Sequence, residues 1–314
     1  MGTSSRRSSS NDRMNSVSSQ FRSTWPFHDW GETCARLTTW WLALVVIVLV
    51  GAGCTPETKK SAAAAKGHVL ELAKAASEDV RQVRTGLPQG AAELVAILPP
   101  AEKGDIDAPT AREALEKARN KVQDLRVAKS TFFALVAPNG SVIRNDQPQD
   151  RMVGKDLLAS FPALRPALTG GYVEGRGSML EAAEVRGKPD AQWVAAAPVG
   201  SPARALYVTG WSWSGYAYRL ENAVRSSVRG VASEVQKVPL LYAFVLVGAD
   251  VYGAPISPEV NAKAIMEQKL PEKLKGAEPV TVELEITGRG FGLSAVRVPE
   301  LGNDVAIAVL RSET

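Results

Sequence analysis

The chain holds two cysteines and two histidines in 314 residues, and this scarcity excludes more chemistry than any motif suggests. His28 and Cys34 lie before a single apolar run, Cys54 closes that run, and His68 follows soon after it. From residue 55 onward there is no thiol and only one imidazole, so a Ser-His-Asp or Cys-His centre and a His/Cys zinc site all lack parts. No disulfide can form within that body. Carboxylate-only chemistry needs neither residue. The sequence nevertheless shows no acidic constellation, no G-x-x-x-x-G-K-[ST] and no G-x-S-x-G. Nothing points to an enzyme, a bound metal or a cofactor. Charge of one sign is also missing: residues 1–53 carry five Arg against three acids, which leaves 32 basic and 30 acidic residues in the rest. A nucleic-acid surface needs clustered Lys and Arg, so a nucleic-acid partner is not expected.

Long hydrophobic runs are rare too, and the main one is short. WWLALVVIVLVGAGC, residues 40–54, is apolar and uncharged, whereas a helix needs roughly 20 such residues to cross a bilayer core. It ends in the small residues Gly51, Ala52 and Gly53 and gives way at once to TPETKKSAAAAK. Small residues ahead of a cut site fit a signal-peptidase pocket. Gly51-Ala52-Gly53-Cys54 is similar to the lipobox of bacterial lipoproteins. That resemblance implies cleavage before Cys54 and acylation of its thiol and new amino group, and multiple acyl chains are what make such an anchor durable. It implies a palmitate-bearing membrane lipoprotein facing the periplasm, in the outer rather than the inner membrane. The alternative is an uncleaved signal anchor in the inner membrane. Arg22 and Arg36 precede the run and Lys59, Lys60 and Lys66 follow it, so flanking charge does not set orientation. Residues 1 to about 24 are Ser-rich and read as disordered, with Met14 an internal candidate start.

Residues 54–60 read as a tether. Helix is expected from Ser61 to Arg84, where Val69, Leu72, Ala76, Val80 and Val83 recur at spacings of three and four. Gly86-Leu87-Pro88-Gln89-Gly90 is expected to break it, with another turn or two over Ala91–Leu98. A second long helix, capped by Thr110 with Glu113 three residues on, is expected to run to Ala128. From Thr131 the pattern becomes strands and turns: Phe132–Val136, a turn at Ala137-Pro138-Asn139-Gly140, then Val142-Ile143. Short helices are expected over Lys155–Ser160 and Ala163–Leu168. Strands are expected at Met179–Val185, Gln192–Pro198 and Ala205–Trp213, followed by a helix over Tyr216–Val235.

The order then repeats. FALV at 133–136 has a counterpart in FVLV at 244–247, and EVRGKPDAQWVAAAP at 184–198 aligns without a gap on EITGRGFGLSAVRVP at 285–299. Glu184/Glu285, Gly187/Gly288, Lys188/Arg289 and Pro198/Pro299 coincide. The expected class is α+β: N-terminal helices over 61–130, then two tandem antiparallel-sheet lobes at 131–213 and 240–314, joined by a helix within 214–239.

FALVAPNGSVI at 133–143, VGKDL at 153–157 and AAPV at 196–199 resemble the PAS-like lobe of bacterial extracytoplasmic Cache sensor domains. The whole of residues 60–314 is similar to the double-Cache layout. The resemblance implies a non-enzymatic, ligand-binding sensory module with a small molecule held between a sheet and its crossover helices. The family carries a further span and a signalling output, which this sequence does not show after Thr314, and this implies a signalling partner. Tyr207 and Trp211 alternate onto one strand face with Trp193 on the neighbouring strand, while Arg151, Tyr172 and Arg176 in the first crossover are placed to meet an anion. These six are the candidate ligand residues, and ordinary core packing is the competing account of the aromatics. The competing function is a structural envelope lipoprotein whose lobes bind a protein partner.

Overall fold

The computed structural model describes residues 56–100, 106–183, 190–231 and 238–313. The apolar leader and Cys54 lie outside the described residues. Among the described residues no helix is long and apolar enough to cross a membrane.

Helix α1 runs Pro56–Ile97, 42 residues, or roughly 63 Å at 1.5 Å per residue. Ala65, Val69, Leu72, Ala76, Val80, Val83, Leu87, Ala91, Leu94 and Leu98 are all buried. This unbroken three-and-four stripe is the amphipathic face the sequence announces. The expected break at Gly86–Gly90 does not occur. A Cβ on Gly86 would stand 2.9 Å from the Leu125 side chain, and one on Gly90 would stand 2.6 Å from the Tyr207 ring. The glycines therefore serve close packing rather than chain reversal. Burial of Leu87 and Ala91 outweighs Pro88, whose missing N–H and ring would otherwise stop a helix.

Helix α2 spans Ala108–Lys121 and α3 spans Gln123–Val127, with Val122 extended between them. Its cap is Asp107, which accepts from the Thr110 backbone N–H at 2.8 Å and from the Thr110 hydroxyl at 2.8 Å, so Thr110 is the partner of the cap and not the cap itself. Strands β1 (Phe132–Val136) and β2 (Val142–Asn145) flank a turn in which Gly140 has φ 96°. Helix α4 (Leu157–Ser160), capped by Asp156, and a 3-10 turn at Pro162–Leu168 form the crossover. Strand β3 (Val173–Gly177) follows, then β4 (Gln192–Val199), β5 (Ala205–Ser212) and helix α5 (Trp213–Val231).

The strand expected at Met179–Val185 is absent from its described part, where Leu180–Ala182 makes a 3-10 turn instead. The edge strand is β3. Its VEGRG sequence hides it, because Gly175 and Gly177 let the crossover close down to the backbone: Cβ atoms there would meet Ala163 at 2.9 Å and the Phe161 ring at 2.7 Å.

The second half has β6 (Leu240–Val247), β7 (Asp250–Gly253), α6 (Glu259–Glu267), α7 (Leu270–Lys273), β8 (Val280–Ile286), β9 (Arg289–Arg297) and β10 (Val305–Ser312). The two five-stranded antiparallel sheets have equivalent orders, β2-β1-β5-β4-β3 and β7-β6-β10-β9-β8. The fold is α+β, with two PAS-like sheets in tandem.

Each sheet is buried on both faces. Phe133, Leu135, Trp193, Tyr207 and Trp211 of the first sheet, with Ala243, Val245, Ile307 and Val309 of the second, share one apolar cluster with α1. The opposite faces have separate cores, around Phe132, Val194, Leu157 and Phe161 in the first half and around Phe244, Leu293, Ala308 and Ile265 in the second.

These faces correct the repeat alignment. Phe133 points toward α1 whereas Phe244 points away from it, so the FALV/FVLV match is one residue out of register, and such a slip reverses every side chain. The row Phe132–Gly210–Val194 corresponds to Phe244–Ala308–Ala295. Val194 opposite Ala295 is the spacing of the gapless 184–198/285–299 pairing.

Candidate functional site

The crossover side of the first sheet, where a PAS-like lobe would hold a ligand, is filled. Met152, Leu157, Leu158, Phe161 and Leu164 are fully buried there against Phe132 and Val208. The three aromatic candidates lie on the other face. Trp193 and Trp211 are cross-strand partners stacked at 4.3 Å, and Tyr216 of α5 stacks on Trp211 at 4.8 Å. Tyr207 packs on Gly90 of α1. The alternation read from the sequence does bring these rings to one face, and α1 covers that face.

Under the stack sits a charge that sequence reasoning missed. Asp79 of α1 is 3% exposed, accepts from Lys129 Nζ at 2.9 Å through both oxygens, and accepts from the Tyr216 hydroxyl at 2.8 Å. Burial raises its pKa against the pull of Lys129. Asp79 falls on the buried edge of the α1 stripe, where a lone acid in an apolar row is the only sequence signal.

The polar candidates separate. Arg151 Nη2 donates to the Ala183 carbonyl at 3.2 Å, on the crossover side. Arg176 lies instead in a cleft of about 320 Å³ between the two sheets, lined also by Arg84, Glu174, Trp193 and Glu300, and Tyr172 reaches it only through Glu174. The Tyr172 hydroxyl donates to Glu174 at 2.9 Å, and burial, then Glu174, raises its pKa. Arg84 pairs with Glu174 at 2.6 Å and Arg176 with Asp304 at 2.7 Å. Each guanidinium is charge-paired with a carboxylate of the protein, so this cleft has little net charge to spare for an anion.

A larger site lies in the second half. A cavity of about 430 Å³ is walled by β7, the loop after it and α6, within the 300–1,000 Å³ typical of small-molecule sites. Phe244, Val251, Tyr252, Pro255, Ala262 and Met266 make its apolar wall, and Asp250, Glu259, Ser257 and Ser214 bring polar groups. No Lys or Arg is among its lining residues. Burial, followed by the charge of Asp250, raises the Tyr252 pKa, so Tyr252 stays a neutral hydroxyl at the rim. None of these residues was among the six candidate ligand residues read from the sequence. Pro255 and Pro258, in the loop after β7, were the available sign.

No family model and no curated protein matches this sequence. Solved structures do resemble it in fold. The ligand-binding domain of a Campylobacter jejuni chemoreceptor, solved with 4-methylisoleucine, is 10% identical, with a TM-score of 0.46, over 82% of this chain and 93% of its own. The sensor domain of a V. cholerae histidine kinase is 15% identical, with a TM-score of 0.40, over 79% and 95%. An extracellular ligand binding receptor from Desulfohalobium retbaense is 15% identical, with a TM-score of 0.46; 77% of this chain is covered, but only 39% of the receptor's length. At such identities and scores the similarities say nothing of what this chain binds.

Chemically, the second-half cavity offers an apolar wall, two carboxylates and two serine hydroxyls. No histidine or cysteine lines it, and among the described residues no group of three or more His, Cys, Asp or Glu is placed to hold a metal ion. Two carboxylates beside an apolar wall suit a ligand with a cationic end and a hydrocarbon body, because a charge leaving water needs a paired opposite charge.

Proposed function

We propose that the chain is a non-enzymatic, ligand-binding sensory module of double-Cache type, with lobes at 131–213 and 240–314. It is held at the periplasmic face of a membrane through acylated Cys54, and the second-half cavity takes a small amine. The observation that carries the binding reading is that cavity: apolar on one side, acidic on the other, and free of lining cations. The repeated sheet order on one long helix supports the double-lobe architecture. The composition break at Cys54 supports the anchor.

Titration of the full chain with putrescine, spermidine, amino acids and dicarboxylates, followed by thermal shift, tests the site, since a ligand of the native state raises the melting temperature. Amines are expected to raise it, and Asp250→Asn to weaken binding about tenfold, the loss of one charge-assisted hydrogen bond. Flat melting curves for every amine would end the reading. Intact mass of the native protein reports the anchor: cleavage before Cys54 with added acyl chains is expected.

One observation favours a protein partner at the same place. Ile256, Val260 and Met266 are 72%, 43% and 49% exposed around the cavity mouth. A single stoichiometric envelope protein recovered by cross-linking, and lost in Ile256→Glu, would favour that scaffold.

A further inference from the structure

A third cleft, on the outer side of the first half, is built for the opposite charge. It has a volume of about 530 Å³ and lies between α2, α3 and the loop after β2, with Arg112, Arg119 and Arg126 on its wall beside Asn120, Glu116 and Asp146.

Arg112 and Arg119 stand two turns apart on one face of α2, roughly 10 Å along the axis. Arg119 is fixed in place: Nη1 donates to Asp146 at 3.0 Å, and the guanidinium lies 4.8 Å from the Phe133 ring centre. The second oxygen of Asp146 accepts the Phe133 backbone N–H at 2.7 Å. That carboxylate is therefore spent on the fold. Arg112 donates from Nη2 to the Gln147 carbonyl at 3.1 Å, while its buried Nε has no partner among the described residues. Arg126 is exposed and forms no ion pair or hydrogen bond among the described residues.

The opposite wall is rigid as well. The Asn145 N–H donates to Asp150 at 3.1 Å, the Gln147 N–H to Asn145 at 2.9 Å, and Gln147 Nε2 to the Thr131 carbonyl at 3.2 Å. A fixed wall lowers the ordering cost of binding. With Asp146 committed, Glu116 alone faces guanidiniums that keep unused donors, and a planar guanidinium fork matches a carboxylate or phosphate edge-on.

We propose that this cleft binds a small oxyanion of charge two or more, a dicarboxylate or a phosphate group, seated between the guanidiniums of Arg126 and Arg112. The site is separate from the second-half cavity and does not depend on the amine reading.

Calorimetric titration of the full chain at low ionic strength with succinate, citrate and inorganic phosphate, each with a matched chloride control, tests it. At least one anion is expected to bind. Arg126→Gln, at an exposed and unpaired position, is expected to weaken that anion about tenfold with an unchanged melting temperature. Arg112→Lys, which keeps the charge but loses the fork, is expected to weaken it similarly. Binding by succinate or citrate alone identifies a carboxylate site, and by phosphate alone a phosphate site. The proposal is overturned if none of the three binds, or if both variants bind as the wild type does. Asp250→Asn is expected to leave this binding intact, so failure here and failure of the amine site are read independently.

Discussion

The one histidine of the described residues does structural work. His68 sits where α1 meets the last strand: Arg311 Nη1 lies 2.7 Å from its Nε2, and Arg311 also pairs with Glu313 at 3.0 Å. Burial, and after it the Arg311 guanidinium, hold His68 below the ordinary histidine value of 6.5. A neutral ring accepts the Arg311 proton, whereas a charged one would repel it. The folded-state pKa is depressed, so this contribution to stability is complete above the ordinary histidine value and is lost as pH falls through the lowered one. Urea unfolding at pH 7.5 and at pH 5 is therefore expected to show wild type losing more stability than His68→Gln, which keeps an acceptor without a titration. Equal losses in the two proteins would refute this role. Asp79 behaves in the opposite sense, since burial raises its pKa and the Lys129 and Tyr216 contacts offset the cost of its charge.

At the scale of elements, the first turns of α1 lie directly on the second sheet. A Cβ on Gly292 of β9 would stand 2.1 Å from the Ala62 nitrogen and 2.3 Å from its Cα, and one on Gly290 would stand 2.5 Å from the Thr58 hydroxyl. Backbone cannot move aside as a side chain can, so Gly292→Ala is expected to destabilise the chain by about 2–3 kcal/mol. Gly276→Ala, where a Cβ would meet nothing within 4 Å, is expected to change stability by less than about 0.5 kcal/mol. Chemical denaturation of the two variants checks the contrast.

Such glycines mark how far the sequence could be read. The α1 stripe, β1, β4, β5 and the repeat of the second half were legible because burial leaves periodic or continuous apolar letters. Gly86, Pro88 and Gly90 were misread as a break, because glycine looks the same whether it turns the chain or admits a neighbour. Strand β3 was missed for a related reason, since two of its five residues are glycines pressed against the crossover. The six candidate site residues shared the aromatic and basic character of a pocket, but which face of a doubly buried sheet carries the ligand depends on what covers it. Only tertiary structure shows α1 lying over Trp193, Tyr207 and Trp211.

Across the whole molecule, the apolar cluster along α1 decides whether the two halves behave as one. The described residues from Pro56 onward form a single compact unit. The ion pairs bridging the halves are weak couplers: Arg176 and Asp304 are 40% and 47% exposed, and exposed pairs contribute at most about 1 kcal/mol. The coupling comes instead from α1, one helix whose first turns lie on Gly290 and Gly292 of the second sheet and whose Gly90 lies on Tyr207 of the first, within one shared apolar cluster. A chain ending at Val231 would leave the N-terminal half of that stripe in water, with its burial energy of about 1.5–3 kcal/mol per large apolar side chain unrealised. The full chain is therefore expected to unfold in one transition, seen alike by fluorescence of the Trp193–Trp211 stack and by hydrogen exchange in β6–β10. The chain ending at Val231 is expected to show no cooperative transition. Two separated transitions in the full chain, or a truncated form melting within a few degrees of it, would mean that each sheet folds alone and that α1 serves only as a spacer.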